Sequence, residues 1–179
     1  MTRHVALLRG INVGGNKGVA MAELRSVAEG LSLGEPRTLL QSGNLVFDSE
    51  GVSPADLEAR LEAECEHRLG LSTEIHVRSA EQWADIRAAN PFPEEAARDP
   101  AHLLLIAFRT APQPAALQAL EAAYRGPERF GLNGREVYIV YPEGIGRSRL
   151  TPELLGRHLG RGTARNWNTV TKLAALLAG

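Results

Sequence analysis

Apolar and polar positions along this chain alternate between strand-like and helix-like stretches. Arg3 to Asn12 reads as a strand, with Val5, Leu7 and Ile11 on one face and Ala6 and Leu8 on the other. Apolar residues on both faces predict a central strand. Met21, Leu24, Val27, Ala28 and Leu31 then recur at helical spacing. Pro36 opens a short strand through Leu39 and Leu40, Ser42-Gly43-Asn44 is a turn, and Leu45-Val46-Phe47 is the returning strand. Ser53 followed by Pro54 predicts a helix start, an N-cap oxygen and then a proline where no amide bond is needed. Leu57, Leu61, Cys65 and Leu69 form the buried stripe of that helix, and Gly70 stops it. Thr73 to Val77 alternates as a strand. The first half is therefore β-α-β-β-α-β, the order of a ferredoxin-like fold.

Ala80 to Ala89 predicts a short helix, and Asn90-Pro91-Phe92-Pro93 breaks the pattern until Pro100. The order then repeats in outline. Leu103 to Phe108 is a buried strand, and Pro112 and Pro114 introduce a helix with Leu117, Leu120 and Tyr124 inward. Arg129 to Leu132 and Glu136 to Tyr141 form a hairpin around Asn133-Gly134, a pair favoured where both turn residues need positive φ. Two helices follow, Pro152 to Leu159 and Arg165 to Ala178, with no fourth strand visible. The expected class is α+β, built from two ferredoxin-like (β-α-β-β) subdomains. The second lacks a clear fourth strand and ends in two helices. The expected boundaries are 1–79 for the first half, 80–100 for a helix and Pro-rich linker, and 101–179 for the second half.

Composition narrows the function classes. The chain has 179 residues, 44% of them hydrophobic, enough for a sizeable core. A single cysteine, Cys65, excludes an internal disulfide and a cysteine zinc cluster, and points to a cytoplasmic protein. The apolar run before Arg9 is too short for a signal peptide, and no eighteen-residue apolar run exists, so no membrane association is expected. The five histidines (His4, His67, His76, His102 and His158) form no i,i+4 pair and no H-x-H, so neither a metal site nor a cofactor is read. Net charge is −1, but Arg147 to Lys172 carries +5 and the remainder −6. The ordinary reading is a solvated basic face; the alternative is an anionic partner for this segment.

Candidate chemistry sits in three polar loops. In a ferredoxin-like sheet the first and third strands are antiparallel neighbours, so the chain after Asn12 must lie beside the chain before Asn44. That brings Arg9, Asn12, Gly14, Gly15 and Lys17 to the same sheet edge as Gln41, Ser42 and Asn44. Clustered glycines let backbone amides approach an anion, and Lys17 adds charge. The loop is not a Walker A motif, because Asn16 stands at the lysine position and Gly18 at the metal-binding hydroxyl. The competing reading is a tight strand-to-helix turn in which glycine is simply the default residue. Ser42 lacks the flanking pattern of a nucleophile elbow. The third loop, Thr163 to Thr169, contains Arg165, Asn166 and Asn168 at an expected helix start. There, unpaired amides and a guanidinium offer an anion site. The alternative is Thr163 or Asn166 as a cap, Trp167 and Val170 packed inward, and Arg165 paired with a carboxylate.

Arg9-Gly10-Ile11-Asn12-Val13-Gly14-Gly15, Met21-Ala22-Glu23-Leu24-Arg25, Gln41-Ser42-Gly43-Asn44 and Arg165-Asn166-Trp167-Asn168-Thr169-Val170 with Lys172-Leu173 resemble the bacterial domain-of-unknown-function family 1697. Ala20 stands where that family often has proline. The resemblance implies two ferredoxin-like repeats and transfers no catalytic residue. The expected function is binding of a small anionic or phosphorylated ligand at the loop cluster. One alternative is a nucleic-acid-binding module using the basic C-terminal segment. Against it, the first and third strands offer only Phe47 for base stacking. A helix pair from Pro152 to Ala178 would have to imitate helix-turn-helix. The other alternative is a homo-oligomeric scaffold with architectural loops.

Overall fold

The computed structural model describes residues 1–12 and 18–179. The chain divides into two compact units, Met1–Asp85 with Lys172–Gly179, and Ile86–Thr171. The first contains β1 (Thr2–Leu8), α1 (Met21–Gly30), β2 (Gly34–Leu39), β3 (Asn44–Ser49), α2 (Pro54–Leu69) and β4 (Ile75–Ser79). The short helix α3 (Ala80–Ala88) carries the chain out of it. Its four strands order as β2-β3-β1-β4, all antiparallel. β1 is central, as its two apolar faces require, and Val5, Ala6, Leu7 and Leu8 are all buried. The strand is shorter than the sequence predicts. It ends at Leu8 because Gly10 and Asn12 adopt positive φ, 67° and 53°, and Ile11 leaves the sheet to join the helix-side core.

That core sets Ala6, Leu8, Leu45, Phe47, Ile75 and Val77 of the sheet against α1 and α2. Helix α2 forms as its sequence demands. Ser53 Oγ accepts the Asp56 N–H at 3.1 Å, Pro54 opens the first turn, and Leu57, Leu61 and Cys65 are fully buried. Burial pushes the Cys65 thiol up to about 11. The folded protein holds too little thiolate at pH 8 to react, so a thiol reagent such as DTNB should label Cys65 only as the protein unfolds. Stoichiometric labelling of the native protein within minutes would contradict that burial.

Both edges of the first sheet are closed. β2 carries Pro36 and a register irregularity between Gly34 and Arg37. On β4 the outward amides find side-chain acceptors. Ile75 N–H donates to Glu62 Oε1, Val77 N–H to Glu58 Oε1 and Ser79 N–H to Gln82 Oε1, each at 2.9 Å. Glu58 is only 5% exposed, so its removal strands a buried amide. Glu58 Oε1 also stands 3.9 Å from the buried Arg78 guanidinium, an ion pair that both variants lose. Glu58→Ala, which strands the amide as well, should therefore cost about 1–3 kcal/mol more in urea unfolding than Glu58→Gln, which keeps an acceptor. Equal costs for both would contradict the edge-closing role.

The second unit repeats the order with β5 (Leu103–Phe108), α5 (Pro114–Ala123), β6 (Arg129–Asn133), β7 (Glu136–Val140), α6 (Pro152–Leu159) and β8 (Gly162–Asn166). The last helix, α7 (Trp167–Ala178), follows β8 directly. The strands order as β6-β7-β5-β8, the arrangement of the first sheet. Ile106, Phe108, Val137, Ile139 and Tyr141 pack with Leu120, Leu155 and Leu159. A further helix, α4 (Pro93–Arg98), lies in the Pro-rich stretch and buries no residue of its own.

Three expectations for this half are corrected. A fourth strand does exist. β8 pairs antiparallel with β5, from Leu104↔Asn166 to Phe108↔Gly162. It was hidden because its buried positions are the polar residues Thr163 and Arg165. The final helix consequently begins at Trp167, and α6 and α7 are separated by a strand, which removes the helix-turn-helix imitation. In the β6–β7 hairpin, Asn133 pairs with Glu136, so the two-residue turn is Gly134-Arg135 and only Gly134 has positive φ (57°). Among the described residues no helix is long and apolar enough to cross a membrane. No group of three or more His, Cys, Asp or Glu is placed to hold a metal ion among them either.

Candidate functional site

Antiparallel pairing of β1 with β3 sets Leu7 opposite Asn44 and extends through Leu8 N–H donating to Gly43 O at 2.9 Å. The end of β1 and the β2–β3 hairpin therefore meet, as the topology requires. Asn12 ties them together. Its Nδ2 donates to Gln41 O at 2.7 Å and to Val19 O at 3.0 Å, and its Oδ1 accepts the Val19 N–H at 2.7 Å. One amide thus links Asn12 to Val19 and to the hairpin. Asparagine suits the position twice over, because it tolerates the left-handed φ and offers both donors and an acceptor.

Asn44 is wholly buried in β3, and its Nδ2 donates to Leu39 O at 2.8 Å and to Ser42 Oγ at 3.0 Å. It braces the hairpin from within. Gln41 and Ser42 lie in the hairpin loop, and Gln41 supplies the backbone carbonyl that Asn12 uses. Arg9 lies at the other side of the edge, with an exposed side chain. Its backbone is held against the start of β4: Arg9 N–H donates to Glu74 O at 3.0 Å, and Thr73 Oγ1 donates to Arg9 O at 2.7 Å. Gly14, Gly15 and Lys17 lie outside the described residues.

Past that segment, Gly18, Val19, Glu23, Arg68, Leu69 and Leu71 line a groove of about 400 Å³. The volume is in the range of small-molecule sites. Glu23 is anchored there, its Oε2 accepting the Ala20 N–H at 3.2 Å at the start of α1. Ala20 has no side-chain acceptor of its own, so among the described residues Glu23 supplies the side chain of this cap. Arg68 pairs with Glu64 one turn earlier in α2. Nothing in the sequence singles out Arg68, because a basic residue in the last helical turn is ordinary dipole compensation.

The third loop belongs to the second unit. Arg165 lies in β8 opposite Leu105, only 7% exposed, and donates to Thr163 Oγ1 at 2.7 Å and Ala164 O at 2.8 Å. Burial pushes its guanidinium down to about 10. Asn166 is the cap of α7, its Oδ1 accepting the Thr169 N–H at 3.1 Å, and Trp167 and Val170 are buried. Asn168 is exposed in the first turn. Arg165 is thus a buried strand residue and not part of a helix start, and the Asn166 side chain already occupies the Thr169 amide. Phe47, the aromatic of the third strand, is buried under the helices of the first unit and offers no face to a nucleic-acid base.

Comparison with known proteins agrees with this architecture. A search of curated proteins finds no match. Among solved structures, the conserved bacterial protein SP0830 from Streptococcus pneumoniae is similar, with a TM-score of 0.75 and 25% identity over 98% of both chains. The family model described as a protein of unknown function, DUF1697, matches residues 1–138. Two four-stranded antiparallel sheets of identical order and that match lead to one assignment: the chain belongs to the DUF1697 family.

Proposed function

We propose that the polar end of the first sheet binds a small anionic ligand, with a phosphorylated metabolite as the best-fitting class. The observation that carries the reading is the Asn12 tie. It joins the chain after β1 to the hairpin and fixes Val19 at the wall of the 400 Å³ groove. Asn12 and Asn44 are positioning residues in this reading, since their amides are spent on the protein. Contact with the ligand falls to Arg9, Gln41 and Ser42, to the backbone and side chain of the segment containing Gly14, Gly15 and Lys17, and to Arg68. Guanidinium groups recognise phosphate and carboxylate by paired, charge-assisted hydrogen bonds.

Thermal unfolding with nucleotides, sugar phosphates and inorganic phosphate tests this. A ligand at one hundred times its Kd stabilises the folded state by about 2.7 kcal/mol. The expected result is a saturable rise in Tm that Arg9→Ala and Lys17→Ala both reduce. No rise with any of these compounds, or a rise unchanged in both variants, would refute the assignment.

A further inference from the structure

A second polar cavity lies in the other unit, among residues that the loop cluster does not include. It has a volume of about 390 Å³ and lies between the segment Tyr124–Glu128 after α5 and the segment Glu143–Arg149 before α6. Arg125, Arg147 and Arg149 all line it. None of the three side chains makes a hydrogen bond or ion pair with the described residues.

The walls beneath them are built. Glu128 is the central post: Tyr124 Oη donates to its Oε2 at 2.6 Å, and Ser148 Oγ donates to its Oε1. Ser148 Oγ also accepts the Leu150 N–H at 3.0 Å. Burial opposes ionisation of Glu128, but the hydrogen bonds from Ser148 and Tyr124 outweigh it and hold the carboxyl below its ordinary value. The chain between them is close-packed, since a Cβ on Gly126 would stand 2.5 Å from Glu128 Oε2. The two segments are therefore cross-braced through one ionised carboxylate whose oxygens are already engaged. Glu143 is exposed at the rim. Three guanidiniums against two carboxylates leave the lining with a formal charge of +1.

We infer that this cavity is an anion site for a phosphate monoester, gripped by Arg125, Arg147 and Arg149 over the Tyr124–Glu128–Ser148 brace. Three arginines lining one concavity with a net positive lining favour an anion there. A phosphate group offers enough oxygens to satisfy two forks at once. The site also gives a use for the basic C-terminal segment that needs no nucleic acid.

The test is an NMR titration of the full chain, observing arginine Nε–Hε signals, with inorganic phosphate and with glycerol 3-phosphate at constant ionic strength. Saturable shifts of the Arg147 and Arg149 signals are expected. The double variant R147Q/R149Q should weaken binding about tenfold or more, as loss of charge-assisted bonds requires, while Arg9→Ala leaves this site's affinity unchanged. Both arginines are exposed, so the variant should keep the wild-type Tm, which confirms folding. Shifts that rise linearly without saturation, or that chloride reproduces equally, would overturn the inference. So would an unchanged affinity in the double variant. Loss of these shifts in Arg9→Ala would assign the binding to the first-sheet loops instead.

Discussion

Gly43→Ala is expected to destabilise the first unit by about 2–4 kcal/mol, more than any other single methyl group added to the hairpin. Two costs coincide. Gly43 has φ 85°, where an L-residue loses about 1–2 kcal/mol. The added Cβ would also stand 2.6 Å from Ile11 Cδ1, 2.8 Å from Ile11 Cγ1 and 2.9 Å from Leu8 Cβ. Ile11 is 2% exposed and Leu8 1%, so neither retreats without disturbing the core, and overpacking of this kind costs about 1–3 kcal/mol. Gly134→Ala is the control. It has φ 57° but open space around the missing Cβ, so it should cost only the backbone part, about 1 kcal/mol. Urea unfolding of the two variants decides; equal losses would show that contact with Ile11 and Leu8 is unimportant.

Asn12→Ala should cost a similar amount, about 2–4 kcal/mol, for a different reason: three hydrogen bonds and a residue suited to positive φ are lost together. Asn12→Gly keeps the backbone freedom and loses only the bonds, so it should fall between alanine and wild type. Asn12→Asp separates the donors from the shape. Its carboxylate would face the carbonyls of Gln41 and Val19, which stand 2.7 and 3.0 Å from the present Nδ2. That repulsion raises the folded-state pKa of the new carboxyl above its unfolded value. The variant's stability deficit should therefore be smallest at acidic pH, where the group is protonated and can donate, and should grow as pH rises through the folded pKa. A deficit that shrinks as pH rises would contradict the donor role assigned to Nδ2.

The hydrophobic pattern made most of this architecture legible because most elements bury apolar residues at a regular period. Helix α2 was marked by Ser53, Pro54, the leucine stripe and Gly70, and all four act as their chemistry requires. β8 escaped because the period of two is carried by Thr163 and Arg165, which a hydrophobic reading skips. α4 escaped because it buries nothing and leaves no periodic trace. The pattern overextends β1 because alternation continues through Ile11, while the chain has already turned at Gly10. Antiparallel neighbours share their ends, so the strand order alone sets Asn12 beside the hairpin. The sequence could not show that the Asn12 and Asn44 amides are consumed by backbone partners. Nor could it show that the groove beside Val19 borrows Arg68 from a helix some fifty residues further along. Those facts depend on side-chain directions that spacing does not encode.

Backbone amide NMR during titration with inorganic phosphate, and then with a sugar phosphate, tests the central claim most directly. Anion binding at the end of the first sheet predicts saturable shifts at Arg9, Gly10, Gly18, Val19, Gln41 and Ser42, abolished by Arg9→Ala. Amides in these two segments that stay still while the ligand reaches millimolar concentration would contradict it.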